Sequence, residues 1–309
     1  MKRDIRLLIR SLSIVLLLVV VADILVGVFF QKISDIALSK APNAMRTEYT
    51  IKKVDSDVII LGSSRANHHY IPSIVEDSLS LSTFNCGKDG KPFYYSAAMF
   101  DAISKRYTPK IVIIDIEPNF LSSGFADYDE VYELYPFYNE NDMFKKIIHK
   151  KSRFENIKIM SSMYKYNSRF IAIFGKIFLP DYISEKGYMA LPNKGYKYPE
   201  LISKNEIEIN DSVDEFTVSL LNEIIHISKE KNIKLIFSIS PRYSTLNYKG
   251  INSYKELIHI LEKTNIHFYD NGGISLISNN EFYKDGAHLN DNGARVFTSL
   301  LINQIKQRQ

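Results

Sequence analysis

The chain has 309 residues, a formal net charge of +4 and a single cysteine, Cys86. A chain of this length can bury a large core and usually forms one or two domains, and one cysteine excludes an intramolecular disulfide and a cysteine-based metal cluster. Lys2, Arg3, Arg6 and Arg10 carry most of the excess positive charge, so the rest of the sequence lacks the clustered basic face of a nucleic-acid-binding domain. We expect no nucleic-acid partner and no cofactor.

An apolar segment, residues 11–30, follows the basic residues and is polar only at Ser11, Ser13 and Asp23. As a helix it would be about 30 Å long, which is enough to cross the hydrocarbon core of a bilayer, and it is longer than the roughly 7–15 apolar residues of a signal peptide. Because Lys and Arg precede it, the positive-inside rule places the N-terminus in the cytoplasm and residues after 31 outside. The sequence therefore predicts an uncleaved single-pass anchor, with a cleaved signal sequence or a buried helix as the alternatives.

Asp23 is the ionisable residue inside this apolar segment. A carboxylate that faces lipid is costly, so Asp23 either faces a partner helix or is tolerated near one end of the span without a role. We expect three regions in the chain: a cytoplasmic tip and anchor at 1–31, a linker at 32–54, and a catalytic domain at 55–309.

Strands and helices alternate in two parts of this last region. The apolar runs are of the buried-strand type, and their separation by helices implies parallel pairing with right-handed crossovers. The predicted strands are Val58–Leu61, Ser82–Asn85, Ile111–Ile116, Lys234–Ser240 and Ile266–Tyr269, and the predicted helices are Pro72–Leu79, Tyr94–Arg106, Ser212–Lys231, Ser253–Thr264 and Asp291–Gln304. Either Asn290 or Asp291 suits the N-cap of the last helix.

The alternation is interrupted by residues 121–210, which are rich in Tyr, Phe and Lys and contain amphipathic pieces at 142–150 and 154–174. This pattern predicts a helical insertion over the C-terminal edge of the sheet, as a lid or a surface for a partner. Its aromatic side chains are more typical of packing than of a glycan-binding platform.

A candidate nucleophile follows the first predicted strand. Val58–Leu61 ends in Gly62-Ser63-Ser64-Arg65, and α/β proteins bind ligands outside the carboxyl ends of parallel strands. A serine nucleophile needs a base to remove its proton and a carboxylate to orient that base. His288 lies in a loop before the last helix with Asp285 three residues earlier, so one local turn can hold the carboxylate against one ring nitrogen and leave the other free for Ser64.

These motifs resemble the SGNH (GDSL-like) hydrolase superfamily, in its membrane-anchored extracytoplasmic branch. Gly62-Ser63-Ser64 resembles the first block, with Ser63 where many members have Asp, and residues 85–90 resemble the second. Glu117-Pro118-Asn119 resembles the third block, normally Gly-x-Asn-Asp, and residues 285–290 are the nearest match, to the fifth. The resemblance implies a three-layer α/β/α, flavodoxin-like fold with a parallel sheet of about five strands.

The resemblance also implies roles for individual residues. Ser64 would attack an ester carbonyl, His288 would act as base and then acid, and Asp285 would orient it. The Ser64 N–H, the Gly90 N–H and the Asn119 side chain would bind the oxyanion of the tetrahedral intermediate. Glu117 and Phe120, on either side of Pro118-Asn119, depart from the family pattern.

Two arginines and two histidines near these blocks have alternative interpretations. Arg65 either binds an anionic group of the substrate or pairs with a neighbouring carboxylate such as Glu117. Arg242 ends the fourth strand and either contacts substrate or is simply exposed to solvent. His68 and His69 are adjacent and would point apart on regular structure, so we interpret them as surface or packing residues and expect no metal site.

Taken with the predicted anchor, the motifs indicate an extracytoplasmic serine esterase or O-acyltransferase. Similar proteins act on surface polysaccharides or cell-wall polymers, so the expected substrate is a glycan or another acylated small molecule, with acetyl as the expected group. Hydrolysis and transfer share one acyl-enzyme, and a transferase would need a membrane acyl-donor protein that the anchor and Asp23 could contact. The alternative is a catalytically inactive accessory protein that keeps the fold and binds glycan or a membrane polysaccharide-modification complex.

Overall fold

The computed structural model of this chain describes residues 2–125, 127–167, 169, 173–175, 178, 185–195, 212–243, 248–273 and 279–308. The chain forms two compact units: one comprises Met1–Met45 and Tyr128–Tyr182, and the other comprises Arg46–Asp127 and Ile183–Gln309. The predicted insertion is therefore divided between the two units, and its residues 196–210 lie outside the described part of the chain. Its role as a lid or partner surface stays a prediction.

The strands and helices of the described residues follow the predicted order. The strands are β1 (Val58–Leu61), β2 (Thr83–Asn85), β3 (Ile111–Asp115), β4 (Lys234–Ile239) and β5 (His267–Asp270). The helices are α1 (Lys2–Lys40), α2 (Arg46–Lys52), α3 (Ser64–His69), α4 (Pro72–Leu79), α5 (Phe93–Arg106), α6 (Asp142–Lys151), α7 (Glu155–Lys158), α8 (Ser162–Asn167), α9 (Glu215–Glu230), α10 (Asn252–Thr264) and α11 (Asp291–Gln307), with 3₁₀ turns at Asp129–Phe137 and Asn280–Phe282.

All five strands pair in parallel in the order β2-β1-β3-β4-β5. This is the flavodoxin-like order, in which ligands bind where the chain reverses direction across the sheet, outside the carboxyl ends of β1 and β3. The predicted α/β class and the predicted parallel sheet of about five strands are confirmed.

The sheet is covered on both faces because its central strands are apolar on both. Val58 and Ile60 of β1 join a core with α3, α4 and α11. Ile59 and Leu61 are equally buried and point to the opposite face by the two-residue period of a strand. On that face α5 and α9 pack together and contact β1 and β4.

The other unit is organised on α1, which begins at Lys2 and ends at Lys40. Pro42 lies just beyond its end, and proline disfavours helical geometry in the residue before it. By length and composition this helix can cross a membrane: its apolar window has a mean hydropathy of 3.0 and is not buried in the protein. The region 32–54, predicted as a connecting helix and linker, contains the last turns of α1 and all of α2.

Candidate active site

Ser64 is the first residue of α3, directly after the turn that follows β1. Gly62 makes this turn with a φ of +141°, a conformation that residues with a Cβ rarely adopt. A Cβ at Gly62 would also lie 2.7 Å from the Ala66 Cβ and 2.8 Å from the Asp115 carbonyl oxygen. The glycine therefore lets α3 start close to the end of β3. As the first helical residue, Ser64 has an N–H with no acceptor within the helix.

The structure brings the three predicted triad residues together. The Nε2 atom of His288 lies 2.7 Å from the Ser64 Oγ, and the Nδ1 atom of His288 lies 3.0 Å from each carboxylate oxygen of Asp285. Burial alone would raise the pKa of the Asp285 carboxyl, but hydrogen bonds from the Ala287 N–H and from His288 lower this pKa below its usual value. Asp285 is therefore ionised at neutral pH and fixes the proton of His288 on Nδ1, which leaves Nε2 free to accept a proton from Ser64.

Local hydrogen bonds hold this loop in shape. The Asp285 Oδ1 accepts the backbone N–H groups of Ala287 and His288 at 2.9 Å each, which is the Asx-turn behaviour of aspartate in a tight turn. The Lys284 N–H donates to the His288 carbonyl at 2.9 Å. The Asn290 side chain then caps α11 by accepting the Gly293 N–H at 3.0 Å, so of the two predicted N-caps the structure has Asn290.

A cavity of about 240 Å³ lies beside the serine turn and includes Ser63 and Gly90 in its lining. Gly90 has a positive φ of +69° and open space where a side chain would be. Phe93, Phe120 and Phe125 supply apolar walls to the same cavity. The cavity is smaller than the 300–1,000 Å³ of typical drug-sized sites, so it suits a short group.

The third-block residues that depart from the family pattern have structural partners. Phe120 is buried, and its ring centroid lies 4.4 Å from that of Phe93. The Glu117 carboxylate pairs with Arg65 at 3.4 Å and with Arg242 at 2.8 Å. Asn119 follows Glu117 on a half-buried turn, closed by the Ser122 N–H donating to its carbonyl. Its role as an oxyanion donor stays a prediction.

Arg65 is placed inside the protein rather than toward a substrate. Its side chain is 3% exposed and pairs with Asp115 at 3.3 Å as well as with Glu117, and it donates to the Ile116 carbonyl at 2.7 Å. A buried guanidinium with these partners is closed to an incoming anion. The substrate-binding alternative for Arg65 is therefore contradicted by its burial, and the pairing with Glu117 is the one observed. Arg242 is more accessible, with 23% of its side chain exposed, and substrate contact there stays a prediction.

His69 has a structural role that the sequence analysis missed. It is fully buried, its Nδ1 lies 3.0 Å from the Ser240 Oγ, and its Nε2 accepts the Leu289 N–H at 2.9 Å. Burial, and then the positive charge of Arg65, lower the pKa of His69 well below its usual value. His69 is therefore neutral and carries its proton on Nδ1. By accepting the Leu289 N–H, it holds the main chain directly after His288 in place.

His68 and a segment of the predicted insertion lie on the other side of His288. The rings of His68 and His288 meet edge to face at 5.9 Å. The Nδ1 atom of His68 lies 2.7 Å from the Met189 carbonyl, and its Nε2 lies 3.3 Å from Asp89. Residues 185–195 thus contribute to the surroundings of the triad, although no pattern in their sequence indicates that they belong to this unit.

A comparison with protein-family models found no match, and a comparison with curated proteins found none either. Among solved structures, the chain is similar to a Desulfitobacterium hafniense DCB-2 protein assigned to the lipolytic G-D-S-L family, with 10% identity and a TM-score of 0.41 over 80% of this chain and 97% of that one. It is also similar to a Bacteroides fragilis NCTC 9343 protein described as an acylhydrolase, with 13% identity and a TM-score of 0.34 over 80% of this chain and 86% of that one. At such low identity, the roles of the site residues rest on the geometry of this chain itself.

Proposed function

We propose that this chain is an SGNH-type serine hydrolase that cleaves ester bonds through an acyl-enzyme on Ser64. The observation that carries the proposal is the continuous hydrogen-bonded line from the Ser64 Oγ through both ring nitrogens of His288 to Asp285. A serine is a weak nucleophile until a base within hydrogen-bond reach takes its proton. His288 lies within that reach, and its own orientation is fixed by Asp285.

In the first half-reaction the Ser64 Oγ bonds to the ester carbonyl carbon while its proton passes to the His288 Nε2. The carbonyl oxygen becomes an oxyanion, which the N–H groups of Ser64 and Gly90 and the Asn119 side chain would bind. Each such donor is typically worth about 3–4 kcal/mol of transition-state stabilisation. The intermediate then collapses, the carbon–oxygen bond to the alcohol breaks, and the leaving oxygen takes the proton from Nε2.

In the second half-reaction an acceptor hydroxyl attacks the acyl-enzyme and gives its proton to the His288 Nε2. Collapse of the second intermediate returns that proton to the Ser64 Oγ and releases the acyl product. Water as the acceptor gives hydrolysis, and a sugar hydroxyl gives acyl transfer. The two reactions use the same residues of this chain in the same roles.

The limited volume and the phenylalanine walls of the cavity beside Ser63 favour a short acyl group in the substrate. We propose that this group is acetyl. The anchor supports an extracytoplasmic location: α1 has the length and hydropathy of a membrane span, and basic residues precede its apolar part. We therefore propose that the substrate is an acylated glycan outside the cell membrane. The alcohol released in the first half-reaction is then a hydroxyl group of the sugar. A membrane acyl-donor protein would be the partner if the reaction is transfer.

The test is purification of the full chain in detergent, followed by assay with a chromogenic acetyl ester and by labelling with a serine-reactive phosphonate. We expect acetyl release and a single phosphonate adduct on Ser64. Acyl transfer would appear as acetylated oligosaccharide when sugar acceptors are added. Labelling that persists after Ser64→Ala would overturn the assignment of the nucleophile. An absence of both labelling and acetyl release would favour the accessory-protein alternative, which the altered first and third blocks motivate.

A further inference from the structure

An apolar face is exposed on the part of the predicted insertion that packs against α1. Phe154, Ile157, Met160 and Met163 recur every three residues, and each leaves half or more of its surface uncovered, up to 79% at Met160. Residues three apart lie on the same side of a helical turn, so each of these exposed side chains is a neighbour of the next. We call residues 154–167 the α1-docked segment. Soluble proteins rarely expose continuous apolar surface of this kind without a binding partner.

The α1-docked segment is fixed to the apolar part of α1 at three points on one helix face. Asp23 accepts hydrogen bonds from the Ser161 hydroxyl and the Ser162 N–H at 2.7 Å each and from the Met163 N–H at 3.0 Å. One turn later Gly27 leaves room for Ser162, because an added Cβ would collide with its side chain. Two turns after Asp23, the Phe30 ring stacks on Tyr166 with a centroid distance of 5.2 Å.

These contacts set the depth of the α1-docked segment. The apolar part of α1 runs to Phe30, and Asp23 lies seven residues before it, which is about 10 Å along the helix axis. If residues 11–30 cross the hydrocarbon core, Ser161 and Ser162 lie below its outer surface. Segments that lie in an interface bury their apolar face about 5–10 Å into the acyl boundary, and Met160 and Met163 adjoin these two serines in sequence.

The backbone N–H groups of the α1-docked segment have hydrogen-bond acceptors within the protein, as a position in lipid requires. Hydrocarbon offers no hydrogen bonds, so every N–H at that depth needs an acceptor within the protein. The N–H groups from 157 to 161 and at 165 donate to backbone carbonyls, Ser162 and Met163 donate to Asp23, and Tyr164 donates to the Ser161 hydroxyl. The carboxylate of Asp23, costly when it faces lipid, is thereby used inside this unit rather than offered to a partner helix.

Charge around the α1-docked segment is that of a membrane interface. Residues 142–167 contain seven Lys or Arg against two Asp or Glu. One of the acids, Glu155, is fully buried and accepts hydrogen bonds from Lys158, Tyr135 and Tyr164 at 2.8 Å each. Arg153 lies over the Phe154 ring at 4.6 Å. Basic and tyrosine side chains suit a membrane–water interface, because their apolar parts can be buried while their polar ends stay hydrated.

We propose that the α1-docked segment inserts into the outer leaflet of the membrane against α1, with Phe154, Ile157, Met160 and Met163 in contact with lipid acyl chains. This inference rests on the membrane anchoring of α1 within the proposed function, but not on the catalytic triad. The insertion is then a second, shallow membrane element, held to the span by Asp23, Gly27 and Phe30.

The test places a bimane label at single introduced cysteines in the full chain, reconstituted into vesicles of equal parts phosphatidylcholine and phosphatidylglycerol. Cys86 does not compete for the label, because it is buried and burial raises the pKa of its thiol to about 11. The sites are Ile157→Cys and Met160→Cys in the α1-docked segment, Leu18→Cys in α1, and Asn139→Cys as an exposed polar site of the same unit. Circular dichroism and gel filtration show that each variant is folded before it is measured.

We expect nitroxides attached at a shallow position of the lipid acyl chains to quench the labels at 157 and 160. Nitroxides attached at a deep acyl position should quench the label at 18. Aqueous iodide should quench the label at 139 at least several-fold more than the other three labels. Iodide quenching at 157 and 160 equal to that at 139, with position 18 still protected, would overturn this inference and leave the anchor intact. Iodide quenching at position 18 would overturn both the anchor and the inference. Neither result bears on the esterase chemistry, which the phosphonate adduct on Ser64 reports separately.

Discussion

The Nε2 atom of His288 lies 2.7 Å from the Ser64 Oγ, although the two residues are 224 positions apart in the sequence. Ser64 reaches this position from the carboxyl end of β1, and His288 reaches it from the loop before α11, which packs on the same face of the sheet through Phe297 and Leu301. The separation is within the reach that a general base needs. The proposed proton transfer from Ser64 to His288 therefore requires no rearrangement of the main chain.

Replacing either member of this pair is expected to remove the proposed esterase activity. For Ser64→Ala and His288→Ala we expect kcat/KM for a chromogenic acetyl ester to fall by about three to six orders of magnitude, because members of a triad act as a unit. The matched control is Ser63→Ala. Ser63 lines the cavity beside the turn, but its side chain makes no capping hydrogen bond and takes no part in the proposed proton transfer, so we expect kcat/KM to fall by no more than about tenfold. Equal losses in the Ser63 and Ser64 variants would contradict the assignment of the nucleophile.

The neutral, buried His69 predicts a pH-dependent stability. Its pKa is about 6.5 in the unfolded chain and well below that in the folded protein, where burial disfavours the cation. Below pH 6.5 the unfolded chain binds a proton that the folded chain does not, so stability decreases by up to about 1.4 kcal/mol per pH unit until the folded pKa is reached. Above pH 6.5 this contribution is constant.

The measurement compares urea unfolding of the wild type and His69→Gln in detergent between pH 5 and pH 8. The glutamine oxygen can still accept the Leu289 N–H but does not titrate. We expect the wild type to lose more stability than the variant as the pH falls below about 6.5, with parallel profiles above it. Parallel profiles over the whole range would show that His69 is not neutral by burial.

Much of the fold was predictable because its signals are local. The three central strands β1, β3 and β4 are short, largely apolar runs, and the predicted ends of all five strands lie within one residue of the observed ones. Asp285 and His288 are also a local pair, three residues apart on one turn. The pairing of Ser64 with His288 required the assumption of a parallel sheet, and the sequence supplied that through the alternation of strands with helices.

The remaining features depend on contacts between distant positions. His69 bonds Ser240 and Leu289, which are 171 and 220 residues away, and nothing in the sequence near His69 marks those partners. Asp23 bonds residues that are 138 to 140 positions away, so its role in docking the insertion was equally hidden. A buried polar side chain needs a hydrogen-bond partner, so the burial of His69 and the partial burial of Asp23 favour such bonds. Whether these positions are buried depends on the whole fold, which their local sequence does not show.

Arg65 is expected to be needed for stability. Replacing it by methionine would leave the buried Asp115 without its positive partner and Glu117 with Arg242 alone, and breaking a buried ion pair typically costs about 3–5 kcal/mol. Lys145→Met is the matched control, because Lys145 and its partner Asp142 are both exposed and such pairs contribute about 0–1 kcal/mol. The free energies of unfolding of the two variants, measured in urea, test this. A loss of under about 1 kcal/mol in Arg65→Met would show that the buried pair is not stabilising.

Gly27 offers the sharpest test of how the insertion is held. A leucine at Gly27 would collide with Ser162 and separate α8 from the helix face that carries Asp23 and Phe30, whereas Ala22→Leu adds similar bulk at an exposed position of α1. Once α8 no longer packs against α1, the backbone around Lys158 and Lys165 opens, and proteolysis follows the population of the open form. We expect trypsin to cleave this region of Gly27→Leu at least several-fold faster than in the wild type in detergent, with Ala22→Leu unchanged. Equal cleavage rates in all three proteins would mean that close approach of Ser162 to Gly27 does not hold the insertion on α1.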